Sequence, residues 1–327
     1  MAKYPKMSSV PVILSRSDVT KNLDPRAMVS WLGEAFQIHS YKGDASLRHA
    51  HHLCLPKGSL VASNFGVLDG IPAYSLKVES RMPRDNPSAS GYVHLFSEES
   101  GRLLALLESS YISSVGSALT GALAADLLAG PDAKSVAVIG NGAQGWLGLR
   151  FLMEMRNLSE VTLFDLNRRK SCRMAERLKK YKNLEVRVCD SLNGAVSNAD
   201  IVSCATGSSQ AFLFSEMVKP GAHVSTLGAD EIGKRELSEE LLKACSFFCD
   251  DRNLVLSVGP LAGIDEARGL VRGELGEVLS GVKKGRRSDE ELTIYGAVGL
   301  PFVDLIAAWC TYQKALKTGV EQLKSIT

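Results

Sequence analysis

Between Ser135 and Asp250 short apolar runs alternate with amphipathic stretches, a pattern that predicts parallel strands separated by helices. The strand candidates are VAVI at 136–139, VTLFD at 161–165, LEVRV at 184–188, IVSCAT at 201–206, HVSTLG at 223–228 and FFCDD at 247–251. Helices are expected from a glycine turn at 140–145 to about Met155, from Arg168 to Lys180, and from Glu236 to Cys245. Alternation at this spacing implies βαβ units with right-handed crossovers, hence one doubly wound, Rossmann-type α/β domain over residues 116–299.

The pattern before residue 115 is different. Asp24-Pro25 is a helix start, and Met28, Trp31, Leu32, Ala35 and Phe36 form an apolar stripe behind it. Strand-like pieces follow at Leu60 to Phe65, Ala73 to Glu79, Gly91 to Phe96 and Arg102 to Leu107, with turns at Asp69-Gly70 and Ser100-Gly101. Ala118 to Ala129 reads as a small-residue helix. Val303 to Leu323 reads as a helix that packs back on the first region. Residues 1–115 plus 300–327 are therefore expected to form a mixed α+β domain.

Composition narrows the function classes. A chain of 327 residues with 45% hydrophobic and 23% charged residues suits two soluble domains, and a net charge of +2 gives no reason to expect a nucleic-acid or anionic-membrane partner. Seven scattered cysteines read as reduced, buried small hydrophobes, and the N-terminus lacks a signal-peptide core, so a cytoplasmic location is expected. No run of eighteen apolar residues suggests a membrane span. His49, His51 and His52 fall on a stretch read as irregular and polar, which offers no defined ligand geometry, and no metal is expected.

The chemistry lies in SVAVIGNGAQGW at 135–146. Gly140, Gly142 and Gly145 fit G-x-G-x-x-G, in which the first glycine permits the turn, the second lets backbone approach phosphate, and the third allows close helix–strand packing. Ala143 and Gln144 complete the turn at a helix start, where free N–H groups favour an anion. Asp165 ends the next strand twenty residues beyond Gly145, near the spacing of an acid that accepts hydrogen bonds from ribose hydroxyls. A dinucleotide is implied, with NAD favoured because the carboxylate repels a 2′-phosphate; Arg168 and Arg169 leave NADP open.

GNGAQG at 140–145, KPGAHVSTLGADEIGKREL at 219–237, GELGEVLSG at 273–281 and AVGLPFVDL at 297–305 together resemble the ornithine cyclodeaminase and mu-crystallin family over nearly the whole chain. The resemblance implies a nucleotide-binding domain inserted in a substrate domain that also pairs two subunits into a homodimer. It implies NAD(P)-dependent work on the carbon–nitrogen bond of amino acids. It makes Asp230 the catalytic acid and Lys77 the holder of the substrate carboxylate. Arg48 becomes a second carboxylate ligand, Val298 a substrate-side residue, and Gln144, Thr206 and Lys234 coenzyme contacts. Read from their local sequence alone, Asp230 could equally cap a helix, Lys77 could face solvent, Thr206 could be a cap, and Val298 could be core packing.

One departure stands out. Most members of the family it resembles carry Arg-Thr where this chain has Gly116-Ser117, and the missing guanidinium argues against simple ornithine cyclodeamination. Arg81 or Arg84 could substitute, or the vacated space could admit an N-substituent. The expectation is an oxidoreductase acting on an amino-acid-derived imine. The alternatives are an ornithine- or lysine-type cyclodeaminase that recycles its NAD, and a mu-crystallin-like ligand-binding protein with little turnover.

Overall fold

The structure, a computed structural model, describes residues 10–42, 51–55, 59–82, 89–231 and 233–319. The chain divides into two compact units, Met1–Gly116 with Leu300–Thr327, and Ser117–Gly299.

The first unit is built on a six-stranded sheet of β1 (Val12–Leu14), β2 (His51–Leu55), β3 (Ser59–Gly66), β4 (Ala73–Arg81), β5 (Ala89–Ser97) and β6 (Leu103–Glu108). Its order is β1-β6-β5-β4-β3-β2, antiparallel throughout except that β1 runs parallel to β6. Helix α1 (Arg16–Asn22) opens on a capping box in which Ser15 and Asp18 exchange hydrogen bonds, and α2 (Pro25–Lys42) follows. Four of the five stripe residues read from the sequence are core: Met28, Leu32, Ala35 and Phe36 are buried while Trp31 is half-buried, and Phe36 meets Phe302 edge to face at 5.2 Å. Helix α3 (Ser109–Leu128) starts nine residues before the expected small-residue helix and runs from the first unit into the second. It has the length and mean hydropathy of a membrane span, yet its apolar side chains, including Ile112, Val115, Leu119 and Leu128, are buried within the protein.

The second unit holds an all-parallel, eight-stranded sheet. Its strands are β7 (Ser135–Ile139), β8 (Glu160–Phe164), β9 (Glu185–Val188), β10 (Ile201–Cys204), β11 (His223–Thr226), β12 (Ser246–Cys249), β13 (Val271–Glu274) and β14 (Thr293–Gly296). The order is β13-β12-β14-β11-β10-β7-β8-β9. Strands run outward from β7 through β8 and β9 on one side and through β10 and β11 on the other, so the order reverses between β7 and β10. The carboxyl ends at such a reversal are where open parallel sheets bind ligands. All six strands expected here are present. β13 and β14 were not foreseen. The connecting helices are α4 (Ala143–Met155), α5 (Arg168–Leu178), α6 (Leu192–Val196), α7 (Glu239–Lys243), α8 (Arg252–Ser257) and α9 (Leu275–Leu279).

The last helix, α10 (Pro301–Thr318), belongs to the first unit and packs on α2 and on β3, β4 and β5. Proline sits in its first turn and Gly319 ends it in the left-handed conformation. At Gly66 a Cβ would lie 2.6 Å from the Pro301 carbonyl oxygen, so glycine lets the start of α10 come down onto the sheet.

Three local expectations are corrected. His51 and His52 lie in β2 rather than on an irregular stretch, because the segment pairs with Ser63 and Ala62 of β3. The expected helix from Glu236 shortens to α7, since Glu236 lies outside any helix, Leu237 bridges Leu213 and Ser238 supplies the N-cap. Cys172 is exposed on α5 and Cys189 is half-buried, while Cys204 and Cys249 are the buried thiols expected.

Candidate coenzyme and catalytic sites

In the second unit, β7 delivers the chain into the glycine turn. Gly140 has φ of +91°, and a Cβ there would stand 2.4 Å from the Ala205 carbonyl oxygen, so both conformation and crowding demand glycine. Gly142 caps α4 and has open space where a side chain would begin. At Gly145 a Cβ would lie 2.1 Å from the Gly140 carbonyl oxygen, which is the close helix–strand packing that the motif requires. A cavity of about 700 Å³ opens over this turn, lined in part by Gly140, Gly142, Asp165, Leu192, Thr206 and Phe212.

The cavity fits a dinucleotide. Gly142 leaves room at the helix start for a phosphate, whose charge suits the free amides of α4. The Asn141 Oδ1 is buried without a hydrogen-bond partner among the described residues. Leu166, 98% exposed, joins Leu192 and Phe212 in offering apolar surface of the kind a flat ring covers. Asp165 stands at the end of β8, where its Oδ2 accepts the Asn141 N–H and its Oδ1 the Asn167 N–H, both at 2.8 Å. One acid thus ties the glycine turn to the start of α5. Arg168 is paired with Asp190, whereas Lys170 lines the cavity. Ala143 is exposed and Gln144 half-buried in the first turn of α4.

At the neighbouring strand ends sits a carboxylate that the sequence reading passed over. Glu236 is fully buried and accepts four hydrogen bonds. Its Oε1 takes the Thr206 amide and hydroxyl, each at 2.7 Å, and its Oε2 takes the Thr226 hydroxyl at 2.7 Å and the Gly228 amide at 3.1 Å. Burial pushes its pKa up against the pull of those four donors. Glu236 therefore clamps the end of β10 to the end of β11, next to the loop that carries Asp230. A Cβ at Gly228 would lie 2.0 Å from the Thr206 carbonyl oxygen, so the clamp needs glycine there. In that loop Lys234 bridges Asp230 at 2.8 Å and Glu231 at 3.2 Å. Asp230 and Lys234 are thus partners of each other and are both only partly covered.

Val298 is placed differently from a residue lining an opening. It is 5% exposed, belongs to the hydrophobic core, and its Cγ2 would lie 2.7 Å from a Cβ at Gly259. Its amide and that of Gly299 donate to Asp250 Oδ2, at 2.9 and 2.6 Å. The packing reading of its side chain is the one the geometry favours.

In the first unit, Lys77 of β4 points inward. Its ammonium lies 2.7 Å from Asp304 Oδ2 in the first turn of α10 and 3.1 Å from the Ser113 hydroxyl of α3, and both charged side chains are 13% exposed. Ser113 in turn reaches Asp304 Oδ1 at 3.4 Å. The space expected beside Gly116 is occupied: a Cβ there would stand 2.6 Å from Val303 Cγ1. Valine from α10 fills the volume that a side chain on α3 would need. Arg48, His49 and Arg84 lie outside the described residues, as does the side chain of Arg81.

The profile of the ornithine cyclodeaminase/mu-crystallin family matches residues 68–319. The chain belongs to that family. The ketimine reductase mu-crystallin of Mus musculus is 29% identical over 94% of this chain and 98% of its own. Among solved structures, the Δ1-pyrroline-2-carboxylate reductase of Thermococcus litoralis, in complex with NADH and L-proline, superposes with a TM-score of 0.89 at 26% identity. It covers 96% of this chain and all of that one. An archaeal alanine dehydrogenase dimer with bound NAD gives 0.89 at 25% identity, over 97% of this chain and 99% of that one.

Proposed function

We propose that this chain is a nicotinamide-dependent reductase of an imine formed from an amino acid, with NAD the preferred coenzyme. The observation that carries the reading is the Gly140–Gly145 turn tied to Asp165 over a 700 Å³ cavity, in a chain whose full-length relatives include reductases of carbon–nitrogen double bonds. When bound, the reduced nicotinamide supplies a hydride to the imine carbon. The nitrogen gains one proton and the product is an amine. Asp230, whose carboxylate is held by Lys234, is the group assigned to pass that proton. Lys77, a desolvated ammonium already oriented by Asp304 and Ser113, is assigned to pair with the substrate carboxylate.

NAD is preferred over NADP because Asp165 places a carboxylate at the cavity while Arg168 is engaged with Asp190. A homodimer is part of the proposal, supported by the dimer reported for the archaeal relative. A cytoplasmic location is supported by the described cysteines all being free thiols.

The test is an assay of purified protein against cyclic and acyclic imino acids, ornithine and lysine, following NADH absorbance and ammonia together. One NADH consumed per amine formed supports the proposal. Ammonia released from a diamino acid without net coenzyme change would make the chain a cyclodeaminase. Tight coenzyme and ligand binding with neither signal would make it a binding protein.

A further inference from the structure

The second unit contains another cavity, of about 510 Å³, at the opposite edge of the parallel sheet from the coenzyme site. It lies by the amino ends of β12 and β13, whereas the glycine turn and Thr206 lie at carboxyl ends. Its charged lining is wholly cationic: Lys243, Arg272, Lys283 and Lys284, with no carboxylate in the wall. Lys243 is paired with Glu239 at 2.6 Å, so its charge is offset. The other three form no ion pair with any described residue. Arg272 adds an independent sign, because its Nε is buried and has no hydrogen-bond partner among the described residues. A buried guanidinium N–H left without an acceptor is costly unless a ligand supplies one.

The neighbouring sequence sharpens the contrast. In KKGRR at 283–287 the two arginines are absorbed by the fold. Arg286 donates to the carbonyls of Leu128, Ala222 and Glu291 and to the Thr293 hydroxyl, and Arg287 pairs with Glu291 at 3.3 Å. The two lysines are exposed and remain at the cavity. A chain of net charge +2 has thus gathered three uncompensated cations around one opening.

We propose that this cavity is a second ligand site, distinct from the coenzyme site, for a small molecule carrying two or more phosphate groups. A planar guanidinium binds phosphate oxygens through paired N–H groups, and ammonium groups on flexible stems add point charges that follow the ligand's shape. Three positive charges match the charge of a diphosphate near neutral pH. The volume falls within the range of small-molecule sites and exceeds what a single orthophosphate fills.

The test is calorimetry of the full chain with inorganic pyrophosphate, and separately with fructose 1,6-bisphosphate as an organic bisphosphate, in the presence and absence of NADH. The expected result is one saturable site whose affinity is independent of NADH. That affinity falls about tenfold or more in the Lys283→Met/Lys284→Met variant, whose changes are on exposed side chains. Arg272→Met gives a similar loss. NADH affinity in both variants stays within about twofold of the parent. Binding of pyrophosphate but not the bisphosphate assigns the site to the inorganic ion, and the reverse to an organic phosphate; either supports the proposal. No saturable binding, binding that NADH displaces, or binding unchanged in the Lys283→Met/Lys284→Met variant would overturn it. Because the variants are compared on phosphate binding alone, the outcome does not depend on whether the chain reduces imines.

Discussion

The ammonium of Lys77 and the carboxylate of Asp304 lie 2.7 Å apart in the first unit, and both side chains are largely covered. A lysine on a strand between apolar neighbours is held inward only because an acid from the first turn of α10 and a hydroxyl from α3 meet it. Replacing Lys77 with methionine removes the ammonium proposed to hold the substrate carboxylate and should lower kcat/KM by about 10- to 100-fold, mainly through KM. Asp304→Asn keeps an acceptor for the ammonium and should cost less than about tenfold. Steady-state kinetics on the two variants check both values. Equal losses would mean that the pair is structural.

Gly116 and Val303 form a small-for-large exchange between α3 and α10. An arginine at position 116 has no room while Val303 stands 2.6 Å from its Cβ position, so Gly116→Arg alone should destabilise the protein by about 1–3 kcal/mol. Adding Val303→Ala should recover most of that loss. Thermal melts of the single and double variants measure it, and additive effects would show that the two positions do not share the space.

Asp165 has a structural part beside the coenzyme role proposed for it. Its two oxygens fasten the amides of Asn141 and Asn167, so Asp165→Ser should raise the KM for NADH by about tenfold and lower the melting temperature as well. A clean reversal toward NADPH is not expected from this one change, because Arg168 remains paired with Asp190. Kinetics with both coenzymes, alongside a thermal melt, separate the two effects.

Stability on the acid side carries the signature of His223. Burial, with Arg286 and Arg156 adding to it, lowers its pKa from 6.5 to about 3, and its ring nitrogens bond the Thr293 and Ser225 hydroxyls. The unfolded chain takes up a proton near pH 6.5 while the folded chain resists until about pH 3. Stability from this residue is therefore full above pH 6.5 and falls as pH drops, by up to roughly 4 kcal/mol at about pH 3. Asp200, raised by burial but pulled down to about 2 by Lys219 and the amides of Lys134 and Ser135, adds its own loss only below about pH 4. Glu236, shifted upward by burial, works in the opposite direction. Denaturation of wild type and His223→Gln at matched pH isolates the histidine: the variant should lose about one proton's worth of slope between pH 6.5 and 4. Parallel curves would contradict the assignment.

Strands β7, β8, β10 and β12 were legible in the sequence because they are largely buried on both faces and therefore read as mainly apolar runs, whereas β11, HVST, is buried but mostly polar. β13 and β14 were not: VRGE and TIYG are four residues long, contain glycine, and owe their pairing to neighbours far along the chain. The same holds for the polar network. Glu236 looked like the first residue of a helix, yet its partner Thr206 is 30 residues away. The partners of Lys77 were hidden for the same reason, since Ser113 lies 36 residues from Lys77 and 191 from Asp304. Glycine requirements were readable at Gly140 and Gly145 because the motif encodes crowding within a single turn, whereas the filling of Gly116 by Val303 depends on a helix from the other end of the chain.

The most direct measurement is a single turnover with NADH carrying deuterium at the transferable position, mixed with a cyclic imino acid such as Δ1-pyrroline-2-carboxylate, with the product examined by mass spectrometry and NMR. The expected result is one deuterium on the carbon bearing the carboxylate, one NAD⁺ formed per amine, and a rate lost in Asp230→Asn while NADH still binds. Label retained on bound coenzyme, across the whole panel of imino acids, would contradict it.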